Sequence, residues 1–116
     1  MEEIIDFAAF ESLKDALRER FNAVSQLFIE QTPKKMDEIK ALIPQKDSSK
    51  IKMLAHSLKG SCANFTAVGL ASTFKQIEQL TQEENFEAIR TEIDRAEEQL
   101  RKVTDFLIEE MGKNRG

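Results

Sequence analysis

One cysteine, two prolines and four glycines stand among 116 residues, and each scarcity excludes something. Cys62 alone forms neither an internal disulfide nor a thiolate metal site, so redox chemistry is not suggested and a reducing, cytoplasmic setting is expected. Glycine and proline are too few for the many turns of a sandwich or barrel. No apolar run exceeds four residues, and the opening Met1-Glu2-Glu3-Ile4-Ile5-Asp6-Phe7 is acidic where a secretory signal is basic, so neither membrane insertion nor export is expected. Positive charge is also short. The 17 basic and 21 acidic side chains give −4 and a pI of about 5.1, with no general basic field to draw a phosphate backbone, so nucleic acid is not an expected partner.

What remains is 41% apolar and 33% charged, the balance of a folded domain, and 116 residues suffice for one core, so residues 1–116 are read as a single domain. Long Ala, Glu, Lys, Leu and Gln-rich stretches predict an all-α chain. The crowded apolar start from Ile4 to Phe10 suggests a short lid helix, with a fresh start at Ser12, whose partner Asp15 gives the spacing of a capping box. A second segment carries Leu13, Leu17, Phe21, Val24, Phe28, Met36, Ile39 and Ile43. Its stripe keeps phase across Pro33, because Phe21 and Ile39 are about five turns apart, which favours one long helix kinked near the proline over two helices. Pro44 to Ser49 read as a loop in which Ser48 or Ser49 caps a third helix with the stripe Ile51, Leu54, Ala55, Leu58, Cys62, Phe65. A fourth carries Leu70, Phe74, Ile77 and Leu80. After a loop from Thr81 to Asn85, a last helix runs from Phe86 through Ile89, Ile93, Ala96, Leu100 and Val103 to Leu107, with Glu97–Arg101 and Glu98–Lys102 as pairs on its wet side. The expected architecture is an antiparallel four-helix bundle with a short N-terminal capping helix.

His56 is the sole imidazole. At about 100° per residue, the third helix's apolar stripe falls within about 60° of one line, and His56 stands about 140° from Ile51, on the solvent side. Lys52, Lys59, Gly60 and Ala63 share that outer surface. An exposed, uncharged imidazole is a good nitrogen nucleophile near neutral pH, and a phosphoryl group placed on it wants a cation, which Lys59 is positioned to supply one turn on. Gly60 costs a helix interior about 1 kcal/mol relative to alanine, and close approach of another surface is a reason to keep it. Taken alone, this geometry also describes an ordinary solvated histidine. A metal site is disfavoured, because no second histidine exists and the positions four residues either side of His56 are Lys52 and Gly60. Cys62, on the buried stripe, reads as a packed thiol, and Phe65 and Phe74 as core.

The string Ala55-His56-Ser57-Leu58-Lys59-Gly60-Ser61-Cys62-Ala63-Asn64-Phe65 closely resembles the signature of the histidine-containing phosphotransfer (HPt) domains of two-component phosphorelays. His56, Leu58, Lys59, Gly60 and Ser61 match its fixed positions. The stretches Phe28 to Pro33 and Leu70 to Glu78 look like the family's flanking helices, so the resemblance spans most of the chain. It implies a carrier whose His56 accepts a phosphoryl group from a receiver-domain aspartate and passes it to another. Lys59 corresponds to the cation beside the phosphate and Gly60 to the position that permits docking. The partners implied are receiver domains of response regulators or a hybrid sensor histidine kinase, with any Mg²⁺ held by the receiver and no cofactor in this chain. Neither ATP binding nor autophosphorylation is expected, and the family's usual state implies a monomer.

One departure concerns the end of the third helix. Family members often have a glycine where this chain has Thr66, a β-branched residue poor at the left-handed conformation, so the helix is expected to terminate differently, at Asn64 or with Thr66 capping the next helix. The family also often sets a polar side chain of the next helix near the histidine, and Glu78 or Gln82 stands there. The docking surface is expected around His56, with Lys52, Gly60 and Ala63, and to include Ile4, Ile5 and Phe7, although those three can equally close the end of the core. The rivals are a non-catalytic helical adaptor for a receiver or kinase, against which intact His56 and Lys59 argue, and the dimerisation segment of a histidine kinase, whose Gly-rich nucleotide site is missing.

Overall fold

The structure, a computed structural model, describes residues 3–113 and is all-helical among them. Helix α1 (Phe7–Leu17) passes through a 3₁₀ turn at Arg18–Arg20 into α2 (Phe21–Leu42), followed by α3 (Ser48–Asn64), α4 (Val68–Gln82) and α5 (Phe86–Lys113). The last four form the bundle. In it, α3 packs on α2 and α4, and α5 packs on the same two helices from the diagonal position. The predicted stripes are the core: Phe21, Ile39, Ile51, Ala55, Cys62, Leu70, Phe74, Ile77, Ile89, Ile93 and Ala96 are all 0% exposed. Phe21 and Ile39 thus share one buried face, and α2 continues through an exposed Pro33.

Three expected helix ends move. The lid helix does not restart at Ser12. Asp6 caps α1 by accepting from the Ala9 amide at 3.1 Å, whereas Ser12 sits mid-helix and donates to the Ala8 carbonyl. Leu13 and Leu17 therefore belong to α1, and the fresh start falls at Phe21. Asp47, rather than Ser48 or Ser49, caps α3 through the Lys50 amide, since a carboxylate at that position accepts more strongly than a hydroxyl. The loop before α5 shortens to residues 83–85, with Asn85 accepting from Ala88. Glu97 reaches across to Lys40 on α2 at 3.0 Å.

The α3–α4 corner holds the N-terminal segment. Thr66 itself adopts the left-handed conformation, φ 60°, so α3 ends at Asn64 with the bond pattern a glycine would give: Thr66 N–H to Ala63 O at 3.0 Å and Ala67 N–H to Cys62 O at 2.9 Å. The freed Thr66 carbonyl accepts from Asp6, and Gly69 donates to Ile4. A Cβ on Gly69 would lie 2.9 Å from the Ile4 Cα, so only glycine lets that segment lie against α4. Further along, Phe10 packs edge-on against Phe21 and Phe106, and Lys14 bonds Glu110 of α5 at 2.9 Å, closing α1 over one end of the bundle. Between α4 and α5, Thr73 donates to the Gln99 side chain at 2.7 Å, a buried polar contact that fixes their register.

The phosphoacceptor candidate and its surroundings

The α3–α4 hairpin builds the site. Ala55 and Leu58 are pinned in the core on either side of His56, which forces the intervening imidazole outward, and its side chain is 67% exposed. The ring is nevertheless oriented. Glu78, projecting from α4, sets one carboxylate oxygen 3.0 Å from His56 Nδ1 and the other 2.9 Å from Lys59 Nζ. One carboxylate thus ties together two residues a turn apart on the neighbouring helix.

Electrostatics sharpen this arrangement. The Lys59 hydrogen bond, above all, holds the Glu78 carboxyl below its ordinary range, with the His56 contact acting in the same direction and burial opposing both. Glu78 is therefore ionised at neutral pH and can only accept. In the uncharged imidazole the nitrogen facing it must then be the one carrying hydrogen: Nδ1–H donates to Glu78, and the bare lone pair lies on Nε2.

Of the residues singled out by sequence, Lys52, Gly60 and Ala63 are exposed on α3 alongside His56, and nothing lies within 4 Å of where a Gly60 Cβ would be. Lys59 is on the same side but half-buried and tied to Glu78. Between the two candidates on α4, Glu78 makes the contact, while Gln82 is exposed near the helix end. The N-terminal residues divide. Phe7 is 56% exposed, Ile4 is half-buried, and Ile5 is a core side chain, so the expectation that Ile5 lines a docking face fails because the core takes it. Cys62 is buried, and burial pushes its thiol up to about 12, so the thiolate is not available.

Two neighbours were not anticipated. Lys35 of α2 donates to Ser57, the residue after His56, at 3.2 Å, a contact between helices that no single-helix pattern reveals. Met53 is 67% exposed one turn before His56. The helical wheel carried that signal, since Met53 falls about 200° from Ile51. Among the described residues no cluster of His, Cys, Asp or Glu side chains is placed to hold a metal ion, and no helix is long and apolar enough to cross a membrane.

A four-helix bundle with a single outward imidazole, bonded to a carboxylate and flanked by a lysine, is the setting of a group-carrying surface rather than of an enclosed catalytic pocket. The family model of the Hpt domain matches residues 23–105, from the first turn of α2 to late α5. The chain belongs to that family, the histidine-containing phosphotransfer domains of two-component phosphorelays. Its fold is similar to the crystal structure of histidine-containing phosphotransfer protein B (HptB) from Pseudomonas aeruginosa PAO1, with a TM-score of 0.91 and 19% identity over 97% of this chain and 98% of that one. No curated protein sequence matches the chain.

Proposed function

We propose that the chain is a phosphoryl carrier, taking a phosphoryl group onto Nε2 of His56 from the phosphoaspartate of one receiver domain and yielding it to the aspartate of another. The single observation that carries this reading is the Glu78 carboxylate shared by His56 Nδ1 and Lys59 Nζ. It leaves the Nε2 lone pair as the outward nucleophile. As that pair forms the N–P bond, the acyl O–P bond breaks and the donor's carboxylate departs with its electrons. No proton need leave Nε2, which carried none. The ring gains positive charge while Nδ1–H stays bonded to Glu78, and the carboxylate offsets that charge. Lys59, a turn from the ring, can shift its ammonium toward the phosphoryl oxygens, so positioning and charge neutralisation do the catalytic work. Reversal onto a second aspartate uses the same groups.

On this reading residues 1–116 act as one cytoplasmic, monomeric domain. They hold no nucleotide or cofactor, and Mg²⁺ is held by the receiver. A phosphorylated receiver with Mg²⁺ should label the chain in an acid-labile, base-stable linkage. His56→Gln should abolish that label with helicity unchanged by circular dichroism, and a variant that still takes label would refute the site. Lys59→Ala should slow transfer roughly tenfold or more, with the folded state intact.

A further inference from the structure

A phosphoryl group on His56 brings more negative charge than Lys59 and Glu78 together can balance. On Nε2 it carries about −2, while the ring, still holding Nδ1–H, becomes positive. Glu78 offsets the ring and Lys59 offsets half of the phosphoryl charge, so the cluster stands one cation short. Direction matters as well. At about 100° per residue, Lys59 stands about 60° to one side of His56 on α3 and Ser57 about 100° to the other. Glu78 draws Nδ1 toward the Lys59 side. The two nitrogens lie on different edges of the ring, so a group on Nε2 projects away from Glu78, toward the flank where α2 packs. Lys35 stands on that flank. It is half-buried, lines the groove between α2 and α3 with Leu58 and Phe65, and donates to Ser57 Oγ at 3.2 Å. Among the described residues no carboxylate lies within ion-pair distance of it.

We propose that Lys35 is a second phosphate-binding cation, held beside the imidazole by Ser57 and closing on the phosphoryl oxygens of phosphorylated His56 from the side opposite Lys59. This deepens the carrier reading above and rests on it. The Ser57 hydroxyl occupies one of the three ammonium donors of Lys35, which leaves two for a new acceptor, and the flexible four-carbon stem lets the ammonium follow it. Lys59, by contrast, has to share or give up a charge-assisted bond to Glu78 before it can turn to the phosphate. The pull of Lys35 acts on the finished phosphohistidine as well as on the transfer, so this residue sets how much of the phosphoryl group the chain holds at equilibrium with a receiver.

The test loads the full chain with phosphoramidate, a small donor that needs no partner protein. Nε2 takes the phosphoryl group, the donor's P–N bond breaks, and ammonia leaves on a nitrogen already protonated in the donor. The ³¹P shift of the loaded chain is then followed against pH. A nearby cation favours the dianion, so Lys35→Met should raise the phosphoryl pKa by about 0.5, Lys35→Arg should restore it, and Lys34→Met, one residue back on α2, should leave it unchanged. With a receiver present, the equilibrium ratio of phosphorylated chain to phosphorylated receiver should fall about threefold in Lys35→Met, at concentrations where the two proteins do not stay bound and docking affinity cannot move the ratio. A parent titration or a parent ratio in Lys35→Met overturns the proposal. An equal rise in Lys34→Met overturns it too, since that is only the general effect of a lost positive charge. Failure of phosphoramidate to label the unaltered chain would instead sink the carrier reading.

Discussion

Thr66 bears a local strain that the helix end imposes. Its left-handed backbone puts a β-branched side chain where steric crowding costs about 1–2 kcal/mol, and its hydroxyl is buried with no hydrogen-bond partner. Both costs vanish with glycine, while the four bonds made by the Thr66 and Ala67 backbone stay. Thr66→Gly should therefore raise stability by about 1 kcal/mol, after the entropy glycine adds to the unfolded chain, read as a higher urea midpoint at constant slope. A lower midpoint would mean that the threonine methyl packs better than its backbone suffers. Of the five groups that matter at the site, His56, Lys59 and Gly60 were visible residue by residue because motif and periodicity are local, and Glu78 was one of two candidates on the next helix. The fifth, Lys35, was not, since its place beside Ser57 depends on how α2 packs against α3.

At the scale of elements, the N-terminal segment and α1 are clasped at two points, the Ile4–Gly69 contact and the Lys14–Glu110 ion pair. Gly69→Ala would drive a Cβ to 2.9 Å from the Ile4 Cα and 3.0 Å from the Glu3 carbonyl oxygen, both backbone atoms that cannot swing aside. It should cost about 1–3 kcal/mol and release the segment, so that the Asp6 and Gly69 amides exchange hydrogen faster than those of the α3 core. Uniform acceleration along the chain would instead mean that the clasp opens only with global unfolding. The N-terminal helix was foreseen, but not its extent. Ser12 looks like a cap in sequence, and it became an interior residue because Asp6 offered the earlier and stronger acceptor.

For the whole molecule, acid is the informative perturbation. Lys14, and then Lys113, hold the Glu110 carboxyl below its ordinary range against the opposing effect of burial, as Lys59 and His56 do for Glu78. A depressed carboxylate contributes stability that is complete above its unfolded pKa of about 4.3 and is lost as pH falls through the lower folded value. The thermal midpoint should therefore hold steady from neutrality to about pH 5 and fall steeply below about pH 4. Glu110→Gln should lower it at neutral pH and shrink that acid slope, whereas an unchanged slope would assign the acid loss to other carboxylates.

The sequence by itself determined the all-α bundle, the core stripes and the outward direction of His56, because helical period and the glycine and proline counts act over a few turns and need no partner. Only the tertiary structure decided that Ile5 belongs to the core, that Glu78 rather than Gln82 orients the imidazole and restrains Lys59, and that Lys35 of α2 reaches Ser57 beside the histidine. Those outcomes depend on which helix faces which, and the hairpin closure that brings residue 78 beside residue 56 is a long-range consequence of burying both stripes at once.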